Sequence, residues 1–325
     1  MKKQPDAKPE AGASPSTAGS EIARILAVLG VNLLLVLVVV IITSTEGGGL
    51  PDLNAHTLAL GLLPVSAAAG LILACRRLDL ALPMLLALAV ALRVRPPELF
   101  RGDPLVRLAI LCGVCGGICL VSALVTWFGR IASALWTGLL AIGLWLLARE
   151  LGPANRFMSL VGEWPWPAAL GASLGLLVVG AAALGAMGLV SLPSLPPIIR
   201  AGNKGLAGLA SAWVIAGVAV ALASRSEVAA MQADEPMLAY APMLAAGAMG
   251  GAYILRGRWG ALTAVVLTSL SHLVWVFAQF TDLGSPLLNI IVVAAAPLVA
   301  IPLYLFIDWI IRRQTSESAP TGLLA

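Results

Sequence analysis

The sequence predicts an all-α polytopic membrane protein with about ten transmembrane helices, and three observations lead there. Of the 325 residues, 60% are hydrophobic and only 11% are charged, whereas soluble domains run at about 45–50% apolar and about 25% charged. The mean hydropathy is +0.97, so the chain lacks the polar groups to cover its own surface and its solvent must be lipid. The apolar residues gather into ten runs, and about 20 apolar residues make one crossing of a bilayer.

The runs lie near 22–43, 57–75, 80–94, 105–128, 131–149, 167–190, 206–224, 238–255, 260–280 and 286–311. The third is short, and only Arg76-Arg77-Leu78-Asp79 separates it from the second. The breaks carry turn residues, among them Gly47-Gly48-Gly49, Pro96-Pro97, Gly152-Pro153, Pro196-Pro197, Asp234-Glu235-Pro236 and Gly284-Ser285-Pro286. Residues 1–20 are rich in Pro, Ala and Ser with no apolar run. Such a segment cannot offset its ordering entropy, so a disordered cytoplasmic tail is expected there. Residues 21–313 form the expected transmembrane domain and 314–325 a second cytoplasmic tail. The first run is long enough to span and lacks a small-residue cleavage site, so it is expected to be a helix of the domain rather than a signal peptide.

Basic residues set the expected orientation. With the N-terminus in the cytoplasm, 13 Lys and Arg fall inside and 7 outside. Most acids fall outside, so both termini are expected to be cytoplasmic. The loop at 93–107 departs from this bias with Arg93, Arg95, Arg101 and Arg107 outside, near Glu98 and Asp103.

The net charge of +4 does not indicate nucleic-acid binding, because the basic residues stand in ones and twos between apolar runs rather than in a patch with aromatics. Cys112, Cys115 and Cys119 share a helix face, with no His, Asp or Glu in their run. With Gly113, Gly116 and Gly117 they read as a small-residue packing seam, not a metal site. No metal and no cofactor are expected.

Three polar segments interrupt the apolar pattern. The first is Arg76-Arg77-Leu78-Asp79-Leu80-Ala81-Leu82, whose acid is costly at membrane depth unless paired or wet; Arg76 or Arg77 could pair with it. The second is Arg200-Ala201-Gly202-Asn203-Lys204-Gly205-Leu206-Ala207. The third is Gly250-Gly251 followed by Gly257 and Gly260. It lacks the Gly-Lys-Ser/Thr ending of a phosphate loop.

In this order and spacing the three segments resemble the permease subunit of ribose-type and branched-chain amino acid-type ABC importers, over residues 55–313. Arg76 to Pro83 stands where that family has Gly-Gly-Ile-Asp-Leu-Ser-Val-Gly, keeping Asp79 and Leu80 and carrying arginines in place of the two glycines. Ala201 to Ala207 matches in part a Gly-Gly-Asn-x-x-Ala-Ala element, and Gly250 to Gly260 a later glycine-rich one. Asp308 with Arg312-Arg313 stands where the family ends its last span.

The resemblance implies a type II ABC importer-like permease that is not itself an enzyme, in the inner membrane of a bacterial cell. A periplasmic binding protein would deliver a small polar solute to a pathway between two permease copies. Cytoplasmic ATPase subunits would drive it, since the chain has no Walker motif. Asp79, Arg77 and His272 become pathway candidates. Arg200, Gly202, Asn203, Lys204 and Ala207, in the loop at 194–208, become the ATPase coupling element, and Arg95 and Arg101 the docking site for the binding protein.

Other readings stay open. His272 lies mid-span and could line a pathway or simply bond a neighbouring helix. Trp164 and Trp166 mark a membrane interface. A secondary transporter would require broken helices and midplane acids, and a membrane-embedded enzyme would require clustered His, Asp or Glu.

Overall fold

The structure is a computed structural model and describes residues 15–46, 60–94, 103–129, 131–151, 164–189, 203–226 and 236–317. Among these the chain forms ten α-helices and no strand. They are α1 (Pro15–Glu46), α2 (Leu63–Ala74), α3 (Leu82–Val94), α4 (Pro104–Phe128), α5 (Ser133–Leu151), α6 (Trp166–Ala186), α7 (Asn203–Ala223), α8 (Tyr240–Met249), α9 (Gly260–Phe280) and α10 (Pro286–Glu317). A short 3-10 helix, Pro236–Ala239, leads into α8.

Each predicted apolar run contains a helix. Seven helices (α1, α4, α5, α6, α7, α9 and α10) are long and apolar enough to cross a membrane. The other three, α2, α3 and α8, have 12, 13 and 10 residues. At 1.5 Å per residue α2 reaches about 18 Å, against about 30 Å of hydrocarbon. The chain is therefore a multi-pass membrane protein by its seven long helices. Helix α1 starts at Pro15, inside the segment expected to be disordered, and Ser20 and Glu21 bond Arg24 in the polar cluster described below.

Local chemistry starts and bends these helices. Asp103 caps α4, its carboxylate accepting from Leu105 N at 2.7 Å, with Pro104 filling the first helical position where no N–H is needed. Asp103 is thus engaged in capping. Helix α10 carries Pro297 and Pro302 in its interior. A proline cannot donate to the carbonyl four residues back, so Pro297 frees the Val293 carbonyl, and Trp275 Nε1 of α9 donates to it at 3.2 Å. Trp275→Phe should lower thermal stability by about 1 kcal/mol by orphaning that carbonyl. A melting curve in detergent equal to the wild type would contradict the assignment.

Several of the long helices pack antiparallel at close crossings. Helix α4 meets α7: a Cβ on Gly217 would lie 2.6 Å from the Cys115 carbonyl and 2.8 Å from Cys119 Sγ, and one on Gly205 would lie 3.2 Å from Trp127. The cysteines are therefore packing residues, and all four are free thiols. Of the three glycines in that run only Gly116 faces α7; a Cβ on Gly113 or Gly117 would meet nothing within 4 Å. Gly217→Val should cost about 1–3 kcal/mol through overpacking; an unchanged melting temperature would remove the seam.

Helix α2 runs antiparallel to α9, Ser66 facing His272 and Gly70 facing Thr268. One end of the molecule therefore gathers the starts of α1, α7 and α9 with the ends of α4, α6 and α10, as Arg24 bonds Asp308 and Gly185 touches Arg258. At the other end Arg93 donates to the Ser224 carbonyl and Arg225 stacks over Trp164. The interface reading of Trp164 thus gains a cation partner.

Candidate functional site

Between α2 and α3 the helix is broken. Residues 75–81 leave helical geometry, and Arg76 takes a φ of 57°, the one positive φ at a non-glycine residue among the described ones. The left-handed region costs a side-chain-bearing residue about 1 kcal/mol, so the surroundings must hold the turn. They do so through side chains. Ser133 Oγ accepts from Leu78 N at 3.1 Å, Thr137 Oγ1 accepts from Leu80 N at 3.0 Å, and Tyr240 Oη donates to the Leu80 carbonyl at 2.6 Å. Irregular backbone inside a bilayer is tolerated only where protein or water satisfies it, and α5 and α8 supply that here.

Asp79 lies at the centre of this segment, 2% exposed. The ion pair that Arg76 or Arg77 could make with it is not formed among the described residues. Asp79 Oδ1 instead accepts from Ala81 N at 2.7 Å, ahead of α3, where the positive end of the helix dipole favours a carboxylate. Arg76 is exposed and Arg77 half-buried. Gly70 sits beside Thr268, eight residues and about 12 Å into α9. Ala74, the last residue of α2, lies about 6 Å further on, level with the first turns of α9.

The structure does not bring the three pathway candidates together. His272 is fully buried and its Nδ1 shares a hydrogen bond of 2.8 Å with Ser66 Oγ, in the first turn of α2. Asp79 and Arg77 follow the last turn, so α2 stands between them and His272. This geometry matches a histidine that ties two helices together. Of the coupling candidates, Asn203, Lys204 and Ala207 lie in the first turns of α7 and Ala207 is exposed, while Arg200 and Gly202 lie outside the described residues. Arg95 and Arg101 lie outside them as well. The second turn of α7 lies against the residues that follow α6, because a Cβ on Gly208 would lie 2.2 Å from the Leu189 carbonyl.

A second polar constellation was not singled out as a site in the sequence. Asp308 of α10, its side chain 5% exposed, accepts from Arg24 Nε at 3.0 Å and Arg256 Nη2 at 3.1 Å, and from Arg312. Glu21 accepts from Arg24 at 3.0 Å and from the Arg256 backbone N at 3.2 Å. The cluster joins the first turns of α1, the turn between α8 and α9, and the last turns of α10. Burial lowers the pKa of Arg256, the Asp308 carboxylate opposes that shift, and Arg312, Arg76 and Arg24 add to it. The glycine motif makes this turn possible, with Gly251 at φ 59° and Gly257 at φ 82°. The one signal in the sequence was an acid in the last span followed at i+4 by an arginine.

A groove of about 730 Å³ lies elsewhere, between α8, α9 and α10. Its walls include Leu244, Trp275, Ile290, Val293 and Pro297, and neither Asp79 nor His272 lines it. A wall this apolar suits hydrocarbon rather than a polar solute. Among the described residues no three His, Cys, Asp or Glu side chains gather as metal ligands. No family model, curated protein or solved structure matches the chain.

Proposed function

We propose that the chain is the solute-translocating permease of a membrane importer, with the broken segment at 75–81 closing its pathway near one membrane face. The observation that carries this reading is the buried Asp79 on unwound backbone between two half-length helices, satisfied by hydroxyls of α5 and α8. Intramembrane acids are costly and are retained for transport or relay, and discontinuous helices are the usual place for transporter sites. On this reading α2, α3 and α8 complete the set of ten membrane segments, and the end that gathers Arg24, Arg256, Arg312 and Arg313 faces the cytoplasm.

The resemblance to ABC importer permeases supplies the mechanism. Cytoplasmic ATPase subunits would close on ATP and push on the first turns of α7, around Asn203, Lys204 and Ala207. Helix α7 packs on α2, α3, α4 and α6, so a push there reaches the broken segment through direct contacts. A periplasmic binding protein and a second permease copy complete the assembly, with Arg95 and Arg101 as the docking residues.

The second reading is a secondary transporter, favoured by the same break and acid, since it requires both. Purification of the tagged chain from its native membranes separates the two. Stoichiometric recovery of a protein bearing Walker motifs, with ATP hydrolysis in the complex, is expected. Recovery of the chain alone from membranes in mild detergent would overturn the ABC reading and leave the secondary transporter.

A further inference from the structure

We propose that the groove between α8, α9 and α10 is a binding site for an uncharged, single-chain lipid whose head donates a hydroxyl, a site separate from the broken segment. Small side chains make the room, since Ala241, Ala245 and Ala248 of α8 and Ala294 of α10 all line it. Pro297 shapes the α10 wall. The Val293 carbonyl that it frees is held by Trp275, and all three residues line the groove. At about 730 Å³ the groove falls within the range of ligand sites, about 300–1,000 Å³.

The groove has the length of one hydrocarbon chain. Its α10 wall runs from Asn289 to Ile301, about 18 Å of helix. One leaflet is about 15 Å deep, half of the roughly 30 Å of hydrocarbon. Pro286 and Asn289 stand in the first turn of α10 and Gln279 in the last turn of α9. This end of the groove therefore lies toward the membrane face opposite the Asp308 cluster. Ile290 and Leu298, 66% and 69% exposed, flank a side that opens to the bilayer, so a chain can enter sideways from the lipid.

The polar signal lies at the same end. Asn289 Nδ2 donates to the Gln279 carbonyl at 3.1 Å and to the Thr281 carbonyl at 3.4 Å. That fixes the amide, and its Oδ1 is left buried with no donor. Buried acceptors are nearly always paired, and a hydroxyl on a lipid head supplies the missing donor. Gln279, exposed at this end, offers a second amide. Among the described residues no Lys, Arg, Asp or Glu lines the groove, so a charged head would lose its water without gaining a counter-charge. Plain hydrocarbon would satisfy the walls and leave Asn289 unmet. An orphan acceptor at the end of an apolar wall one leaflet deep favours a lipid with a hydroxyl head.

The test reconstitutes the full chain in phosphatidylcholine bilayers, photolabels it with monomyristoylglycerol carrying a diazirine in its chain, and maps the labelled peptides. Labelling is expected to concentrate within residues 241–301 rather than on the exposed faces of α1 and α5. Unlabelled monomyristoylglycerol should compete at about fivefold lower concentration than methyl myristate, the effect of one neutral hydrogen bond. Ionised myristate should compete no better than the ester. Asn289→Leu should bring monomyristoylglycerol and the ester level. If that variant fails to fold, Ala294→Trp, at an exposed position, fills the groove and should remove the labelling while the melting temperature stays put. Labelling spread evenly over the outward faces, equal competition by the two uncharged probes in the wild type, stronger competition by myristate, an unchanged ratio in folded Asn289→Leu or unchanged labelling in Ala294→Trp would each overturn the proposal. The outcome is independent of whether the chain transports a solute.

Discussion

Asp308→Asn should be among the most destabilising single substitutions in the chain, lowering stability by about 3–5 kcal/mol. Removing one partner of a buried ion pair leaves the others uncompensated, and that is the source of the cost. Here one carboxylate serves Arg24 and Arg256, whose side chains are 5% and 17% exposed. Asparagine keeps the shape but removes the charge, and its amide donors then face arginine donors. Arg312→Gln is the internal control. Its side chain is 54% exposed, and exposed pairs contribute about 0–1 kcal/mol. Thermal unfolding in one detergent should therefore separate the two variants widely. Arg256→Gln combined with Asp308→Asn should recover part of the loss, since it removes one of the stranded charges. Equal melting temperatures for Asp308→Asn and Arg312→Gln would show that the cluster is merely superficial.

Gly70→Val should be comparably severe for a different reason. A Cβ at Gly70 would lie 2.5 Å from Thr268 Oγ1 and 2.7 Å from Thr268 Cβ, and one at Gly250 would lie 2.7 Å from Thr268 Cα. Helices α2 and α9 and the end of α8 thus cross on one threonine with no room for a methyl group. Overpacking costs about 1–3 kcal/mol per insertion, and valine inserts three carbons into a crossing with rigid backbone on one side. Gly117→Ala supplies the contrast, since nothing lies within 4 Å of a Cβ there and alanine is the better helix former by about 0.5–1 kcal/mol. Thr268→Gly in the Gly70→Val chain should recover part of the loss, and the double-mutant cycle should give a coupling of about 0.5–3 kcal/mol. An additive cycle would place the strain elsewhere.

The apolar runs were legible because hydropathy acts over a whole segment. All ten emerged as helices close to their expected bounds. Their lengths as membrane crossings were less legible. Residues 57–75 read as one long run, yet the described helix starts at Leu63, and hydropathy alone does not report where a helix unwinds inside protein. Asp79 was legible as an unusual acid. Its partner was not, because pairing with Arg76 or Arg77 depends on backbone direction, and a left-handed φ at an arginine leaves no mark in the sequence. The hydroxyls that hold the break, Ser133, Thr137 and Tyr240, sit 55 to 160 residues along the chain from the backbone they serve. They look like ordinary helix residues until packing brings them in. The cluster on Asp308 was missed for the same reason, as Arg24 lies 284 residues away.

The central claim is that residues 75–81 border a solute path rather than a static packing defect. Cysteine accessibility tests it most directly. In a chain whose own Cys75, Cys112, Cys115 and Cys119 are replaced by serine or alanine, single cysteines would stand at Leu78 and Leu80. A third, at Val121, which is 52% exposed on α4, would report a lipid-facing position. A membrane-impermeant maleimide applied to open membranes should label the Leu78 and Leu80 positions at least about tenfold faster than the Val121 position, because the thiolate that reacts forms only where water reaches. Labelling of all three at the same slow rate would contradict the account and leave the broken segment as structure alone.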